Sequence, residues 1–283
     1  LIEKYLSDNA HKNKWPAIRK YVSLSKAKTS SEKEYDLLEP WIQWTSIHTG
    51  LNARDHNIFR LGDINTSYHR QIFESIEQNG HSVGCISAMN AENRLENPSY
   101  FIPDPWTVTK TDGSSTSDAI YTALHQAVND NATGKLTNRT IAKLLYGLLT
   151  ASQKKNWKTY IKLFTQVLRR KKWHKALFLD LFLSDLHLSY YRKTRPDFTT
   201  LFLNGFAHLQ HHYFFSSKFY DGKQNNPAWY IDVGTDPFTS ALDVYDRIFA
   251  QHFEQMQDRE IIIATGLQQV PYDNIKFYYR LKN

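Results

Sequence analysis

Residues 39–63, EPWIQWTSIHTGLNARDHNIFRLGD, hold a carboxylate (Glu39), two indoles (Trp41, Trp44), an amide (Gln43) and two imidazoles (His48, His56) around a Thr49-Gly50 turn. A carboxylate and an imidazole can pass protons near neutral pH, and indole faces can stack on a sugar or a base. The stretch therefore reads either as the rim of an acid–base site or as aromatic core beside a loop. A second group is NGFAHLQHHYFF, with His208, Gln210, His211 and His212. His208 and His211 are three residues apart, so one helical turn would set both on one face, a spacing that suits a divalent metal or an anion. No third ligand of obvious spacing accompanies the pair, and histidines hydrogen-bonded within an aromatic cleft explain it equally well. The adjacent Asp55 and His56 are a weaker metal pattern.

Two polar segments complete the inventory. MNAENRLENPSYFIPDPW, residues 89–106, offers Asn90, Asn93 and Arg94 for a substrate hydroxyl or anion, although turn chemistry also accounts for its Asn and Pro content. NNPAWY, residues 225–230, offers Tyr230 and Trp229 for stacking or simple packing. There is no Gly-rich phosphate loop, no nucleophile elbow and no zinc-type Cys/His array. Basic residues are spread among helices without the basic and aromatic stripe of a nucleic-acid reader, which argues against a nucleic-acid partner. The RRKK run at 169–172 reads first as a solvated helix end that complements the helix dipole.

Elements must bring these residues together. HSVGCISAM (81–89), RPDFTTLFLN (195–204) and DREIIIATG (258–266) read as apolar strands, and IKFYYRLK (275–282) as a fourth. Helical patterns precede them: 68–80, 173–193 and 238–257. Near-continuous apolar strands alternating with helices predict a mostly parallel sheet sandwiched by helices. Three helical patterns within 114–172 read as an insertion or cap on a single domain spanning 1–283. Ligands in open α/β sheets sit beyond the carboxyl ends of the strands, which points to 89–91, 204–212 and 266–269; residues 39–63 join them if that stretch begins a helix at the same edge.

Composition sets the limits. The chain has 283 residues, 41% of them hydrophobic, and a formal charge of +7, which favours an anionic partner (phosphate, acidic glycan, nucleic acid or a membrane surface) without selecting one. A single cysteine, Cys85, cannot form an internal disulfide, so a cytoplasmic location is expected. No apolar run reaches about 18 residues, so no integral membrane segment is expected. The nearest approach, 173–193, is broken by Asp180, Asp185 and His187. The chain opens at Leu1 in a helical pattern, so the natural protein is expected to begin earlier.

Taken in order, PWIQWTSIHTGL with DHNIF, PDFTTLFLNGFAHLQHHYF and REIIIATGLQQ resemble the type I phosphodiesterase/nucleotide pyrophosphatase branch of the alkaline phosphatase-like superfamily. The resemblance implies an alkaline phosphatase-like α/β sandwich, with His211 at the position of a metal-binding histidine. It also implies departures. Pro40 stands at the nucleophile position, Ala207 replaces an aspartate ligand, and Gly266, Leu267 and Gln268 replace an Asp-His-Gly element. Two zinc ions would lack their ligands, so the bimetallic mechanism is not expected. The whole also resembles superfamily members associated with bacterial surface polysaccharide. The first expectation is a divergent phosphodiesterase- or sulfatase-like hydrolase of a phosphorylated or glycan-type anionic substrate. Glu39 or His48 would be its base, and His208 with His211 would bind an anion or one metal such as zinc. Trp41, Gln43, Trp44, Asn90, Arg94, Gln210 and Tyr230 would line the substrate. The alternative is an inactive relative, a pseudoenzyme that binds a glycan or nucleotide.

Overall fold

A computed structural model describes residues 1–129, 137–265 and 269–271. The elements in chain order are α1 (Ile2–Ser7), α2 (Pro16–Val22), α3 (Pro40–Thr49), α4 (Ala53–His56), α5 (Ile72–Gln78), β1 (Val83–Ile86), β2 (Tyr100–Ile102), α6 (Ser115–Asn129), α7 (Asn138–Ala151), α8 (Trp157–Leu168), α9 (His174–Thr194), β3 (Phe198–Leu201), α10 (Gly205–Tyr213) and α11 (Pro237–Gln255). The three strands form one all-parallel sheet in the order β2-β1-β3, with Cys85 level with Phe101 and Thr200.

The sheet separates two cores because side chains on a strand alternate between faces. Val83, Cys85 and Phe101 face α5 and pack with Phe73. Ile86, Tyr100 and Ile102 face the opposite way, into a larger cluster with Leu181 and Leu186 of α9, Ile120 of α6 and Phe238 of α11. Helices thus cover both faces, as the apolar strands predict. Gly84 lets the second core close: a Cβ there would lie 2.3 Å from Cζ of Tyr100. The ring can therefore lie over the β1 backbone while its hydroxyl bonds Thr199 on β3.

Local chemistry sets the element ends near the sheet edge. Pro40 occupies the first turn of α3, and Gly50 ends it in the left-handed region at φ 71°, its N–H donating to the Ser46 carbonyl. The Asn52 carboxamide caps α4 by accepting from the N–H groups of Arg54 and Asp55. A Gln71/Glu74 capping box starts α5.

The sequence reading needs two corrections. Residues 100–102, read as loop, form β2; three apolar residues between Pro98 and Pro103 are too short a run for periodicity to register. Residues 258–265, read as a strand, form no strand: Ile262 is 85% exposed, and no described segment offers them a hydrogen-bond ladder. The strand expected at 275–282 and the Gly266, Leu267 and Gln268 positions lie outside the described residues. Helices α6, α7 and α8 occupy the stretch expected to be an insertion, yet Ile120, Leu124, Ala151, Tyr160 and Leu163 belong to the main core. Among the described residues no helix is long and apolar enough to cross a membrane. What interrupts the apolar run of α9 is buried and paired. Asp185 accepts from the Gln153 N–H (2.8 Å), Asn156 Nδ2 (2.6 Å) and Tyr160 hydroxyl (2.9 Å).

Candidate functional site

Helix α3 sits at the carboxyl edge of the sheet. The Trp44 ring meets Phe202, just after β3, edge-on at 5.1 Å between centroids. His48 Nε2 lies 3.1 Å from the Met89 carbonyl, just after β1. The Asn90 carboxamide reaches α3 by donating to the Trp41 carbonyl at 3.1 Å and Thr45 Oγ1 at 3.0 Å, while its Oδ1 accepts from the Gly62 N–H at 2.9 Å. Residues 41–48 and 89–90 therefore occupy one place.

Several of their polar atoms are bonded within the fold. Because a carbonyl only accepts, His48 Nε2 carries the proton, and burial pushes this imidazole down to about 4. It is neutral at physiological pH. His56 is likewise fixed: Nδ1 accepts from the Ile58 N–H at 3.0 Å, so Nε2 is the atom that donates to Ser46 Oγ at 3.0 Å. The Arg94 guanidinium pairs with Glu92 and donates to the carbonyls of Ile64, Ser67 and His69. It ties down the 64–69 loop and presents no free fork to an anion. Gln43 Nε2 donates to the Leu37 carbonyl at 2.6 Å and Trp41 Nε1 to the Phe59 carbonyl at 3.0 Å. Glu39 is exposed at the N-cap of α3 and makes no side-chain cap bond.

Two buried carboxylates at the same edge escaped sequence reasoning. Asp104 accepts from the N–H groups of Asn90, Trp106 and Thr107, fixing the turn after β2 against the turn after β1, and burial raises its carboxyl. Asp180 of α9 accepts from the Gly205 N–H at 2.8 Å and from the Tyr245 hydroxyl. Burial pushes it up to about 6. It faces the N-terminus of α10, where a carboxylate is favourable, and a Cβ on Gly205 would approach its Oδ2 to 2.4 Å. The available signal was a charge inside the apolar run at 173–193. Asp180, Ser87, Trp106 and Phe202 line a cavity of about 30 Å³, the space of one water and too small for a substrate. A larger open depression of about 390 Å³, bordered by Asn93, Lys110, Asp112 and Tyr121, holds none of the other candidate residues.

The histidines of α10 form a separate group. Its closest ring pair is His208 with His212, at 4.4 Å, one helical turn apart in the i,i+4 sense; the expected partner His211 instead approaches Gln269 at 3.1 Å. His212 Nδ1 lies 2.8 Å from the Tyr230 hydroxyl, and the Tyr230 ring stacks on Tyr213 at 5.3 Å. Trp229 beside them is 85% exposed. Desolvation, with His212 and His211 nearby, holds His208 down at about 4, and burial also lowers His212. Gln210 is half-buried on the same helix. No hydrogen bond or ring contact among the described residues joins this group to α3. Among the described residues no three His, Cys, Asp or Glu side chains gather as a metal-holding group.

What the arrangement offers is an exposed indole, a phenol and imidazoles on one surface, and a separate edge where His48, Gln43, Trp41 and Asn90 bond within the fold. Compared with known proteins, the chain matches no family model, no characterised relative and no solved structure.

Proposed function

We propose that this protein binds a phosphorylated or glycan-type ligand without turning it over, on the surface formed by α10 and residues 229–230. The observation that carries this reading is Trp229, 85% exposed beside Tyr230 and the α10 histidines. An indole left in water next to a phenol and imidazoles gives a stacking face with hydrogen-bonding groups at its border, which suits a sugar or a base. The resemblance to the phosphodiesterase branch supplies the ligand class, and Pro40 and Ala207 are where that chemistry would have been lost. The hydrolase reading asks His48 to act as a base, whereas its ring is buried, 6% exposed, and away from any substrate-sized space among the described residues. Glu39, the other proposed base, is exposed at the N-cap of α3 without a side-chain cap bond, on an edge that offers no substrate-sized cavity beside it among the described residues.

Titration with sugar phosphates and nucleotide sugars, followed by tryptophan fluorescence, tests the proposal. Trp229→Ala and His211→Ala are expected to weaken binding about tenfold or more, in line with ring stacking of about 1–3 kcal/mol. Trp41→Ala and Trp44→Ala are expected to lower stability instead. Binding that is insensitive to Trp229→Ala overturns the location.

A further inference from the structure

The positive charge of the chain is concentrated in one segment. Residues 131–179 carry twelve Lys or Arg and no Asp or Glu, so the rest of the chain, within a total of +7, carries a net −5. Helices α7 and α8 lie in this segment, and each has a second apolar stripe besides the one it buries. In α7, Leu144, Leu148 and Ala151 join the main core, while Ile141, Leu145 and Leu149 recur every four residues in solvent with Tyr146 beside them. In α8, Tyr160 and Leu163 are buried, while Ile161, Phe164 and Leu168 recur at three- and four-residue spacing in solvent. Leu149 is 69% and Leu168 67% exposed. Lys158, Lys162, Arg169, Arg170 and Lys172 are exposed around the α8 stripe. Of the segment's cations, Lys155 alone has an acidic partner, Glu254, among the described residues.

An aliphatic and aromatic stripe bordered by uncompensated cations matches what an interfacial helix presents to a bilayer. A nucleic acid would meet the cations but offers its phosphates little reason to cover Leu, Ile and Phe. A second copy of the chain would bring two strongly positive faces together. We propose that the exposed face of α8, with α7 beside it in sequence, docks on an anionic lipid surface. Ile161, Phe164 and Leu168 enter the headgroup boundary, and the lysines and arginines meet lipid phosphate and carboxylate groups. This surface is separate from the α10 ligand surface and does not depend on it.

Co-sedimentation with phosphatidylcholine vesicles, with and without phosphatidylserine, tests this. The expected result is binding to the phosphatidylserine vesicles that weakens with added salt. Each basic group near such a surface strengthens binding about fivefold. Arg169→Gln with Arg170→Gln is therefore expected to weaken it at least tenfold, as is Phe164→Ser with Leu168→Ser. These side chains are exposed, so thermal melting should stay within a few degrees of wild type, which separates lost docking from lost folding. Four results overturn the proposal. The first is no binding to phosphatidylserine vesicles. The second is vesicle binding unchanged by Phe164→Ser with Leu168→Ser. The third is tighter binding to duplex DNA than to the vesicles. The fourth is a dimer in gel filtration that Phe164→Ser turns into a monomer.

Discussion

Replacing Asn90 distinguishes a structural clamp from a substrate contact. Its carboxamide is fully buried, donates twice to α3 and accepts from the Gly62 N–H, and its backbone is left-handed at φ 51°. At about 1 kcal/mol net for each of three hydrogen bonds, the lost contacts amount to about 3 kcal/mol. Alanine in the left-handed region adds about 1 kcal/mol of strain, which asparagine tolerates better. Asn90→Ala should therefore destabilise the protein by about 4 kcal/mol, or about 10 °C in Tm for a chain of this size. Asn90→Gly, free of the left-handed strain, should be the milder of the two. Urea unfolding followed by tryptophan fluorescence reads the effect, and ligand titration on the same samples reads binding. A change below about 1 kcal/mol together with lost binding would refute the clamp, because truncating a ligand-binding residue commonly leaves stability unchanged or improved.

Other consequences follow from the same geometry. His48 is held neutral in the fold at about 4, against about 6.5 when unfolded, so the unfolded chain takes up the proton first as pH falls. Its contribution is fully present above about 6.5 and is lost towards 4. The stability of wild type relative to His48→Gln should thus drop by about 3 kcal/mol across that window, and a pH-independent difference would contradict it. Asp185→Leu would leave the buried donors of Gln153, Asn156 and Tyr160 without their acceptor, and should cost about 3–5 kcal/mol in urea unfolding. A near-neutral Asp185→Leu would show that these donors find other partners.

Continuous apolar runs made β1 and β3 legible, and the rule about carboxyl strand ends pointed to the turn at 89–90, where α3 lies because residues 40–49 do form a helix at that edge. What the sequence hid is mostly backbone. The carbonyls of Met89, Leu37 and Phe59 occupy His48, Gln43 and Trp41, and no side-chain pattern announces a carbonyl. Arg94 was legible as an anion binder by type, yet three loop carbonyls and Glu92 satisfy it. The histidine spacing on α10 was read as a 208/211 pair, whereas the rings that meet are 208 and 212, since one turn of 3.6 residues serves either spacing. The isoleucine run at 261–263 has the local preference for a strand and lacks the neighbouring ladder that would make it one. Asp180 and Asp185 were visible as interruptions of an apolar helix, but their partners, Gly205, Tyr245, Gln153 and Asn156, come from distant segments.

Binding without turnover is the central claim, and one experiment meets it directly. Each phosphate and sulfate ester that the protein binds in fluorescence titration is incubated with it, with and without zinc or manganese, and product is measured. The account predicts saturable binding weakened by Trp229→Ala and product no faster than the protein-free control. Hydrolysis above that control, lost tenfold or more on His211→Ala or Glu39→Gln, would contradict it.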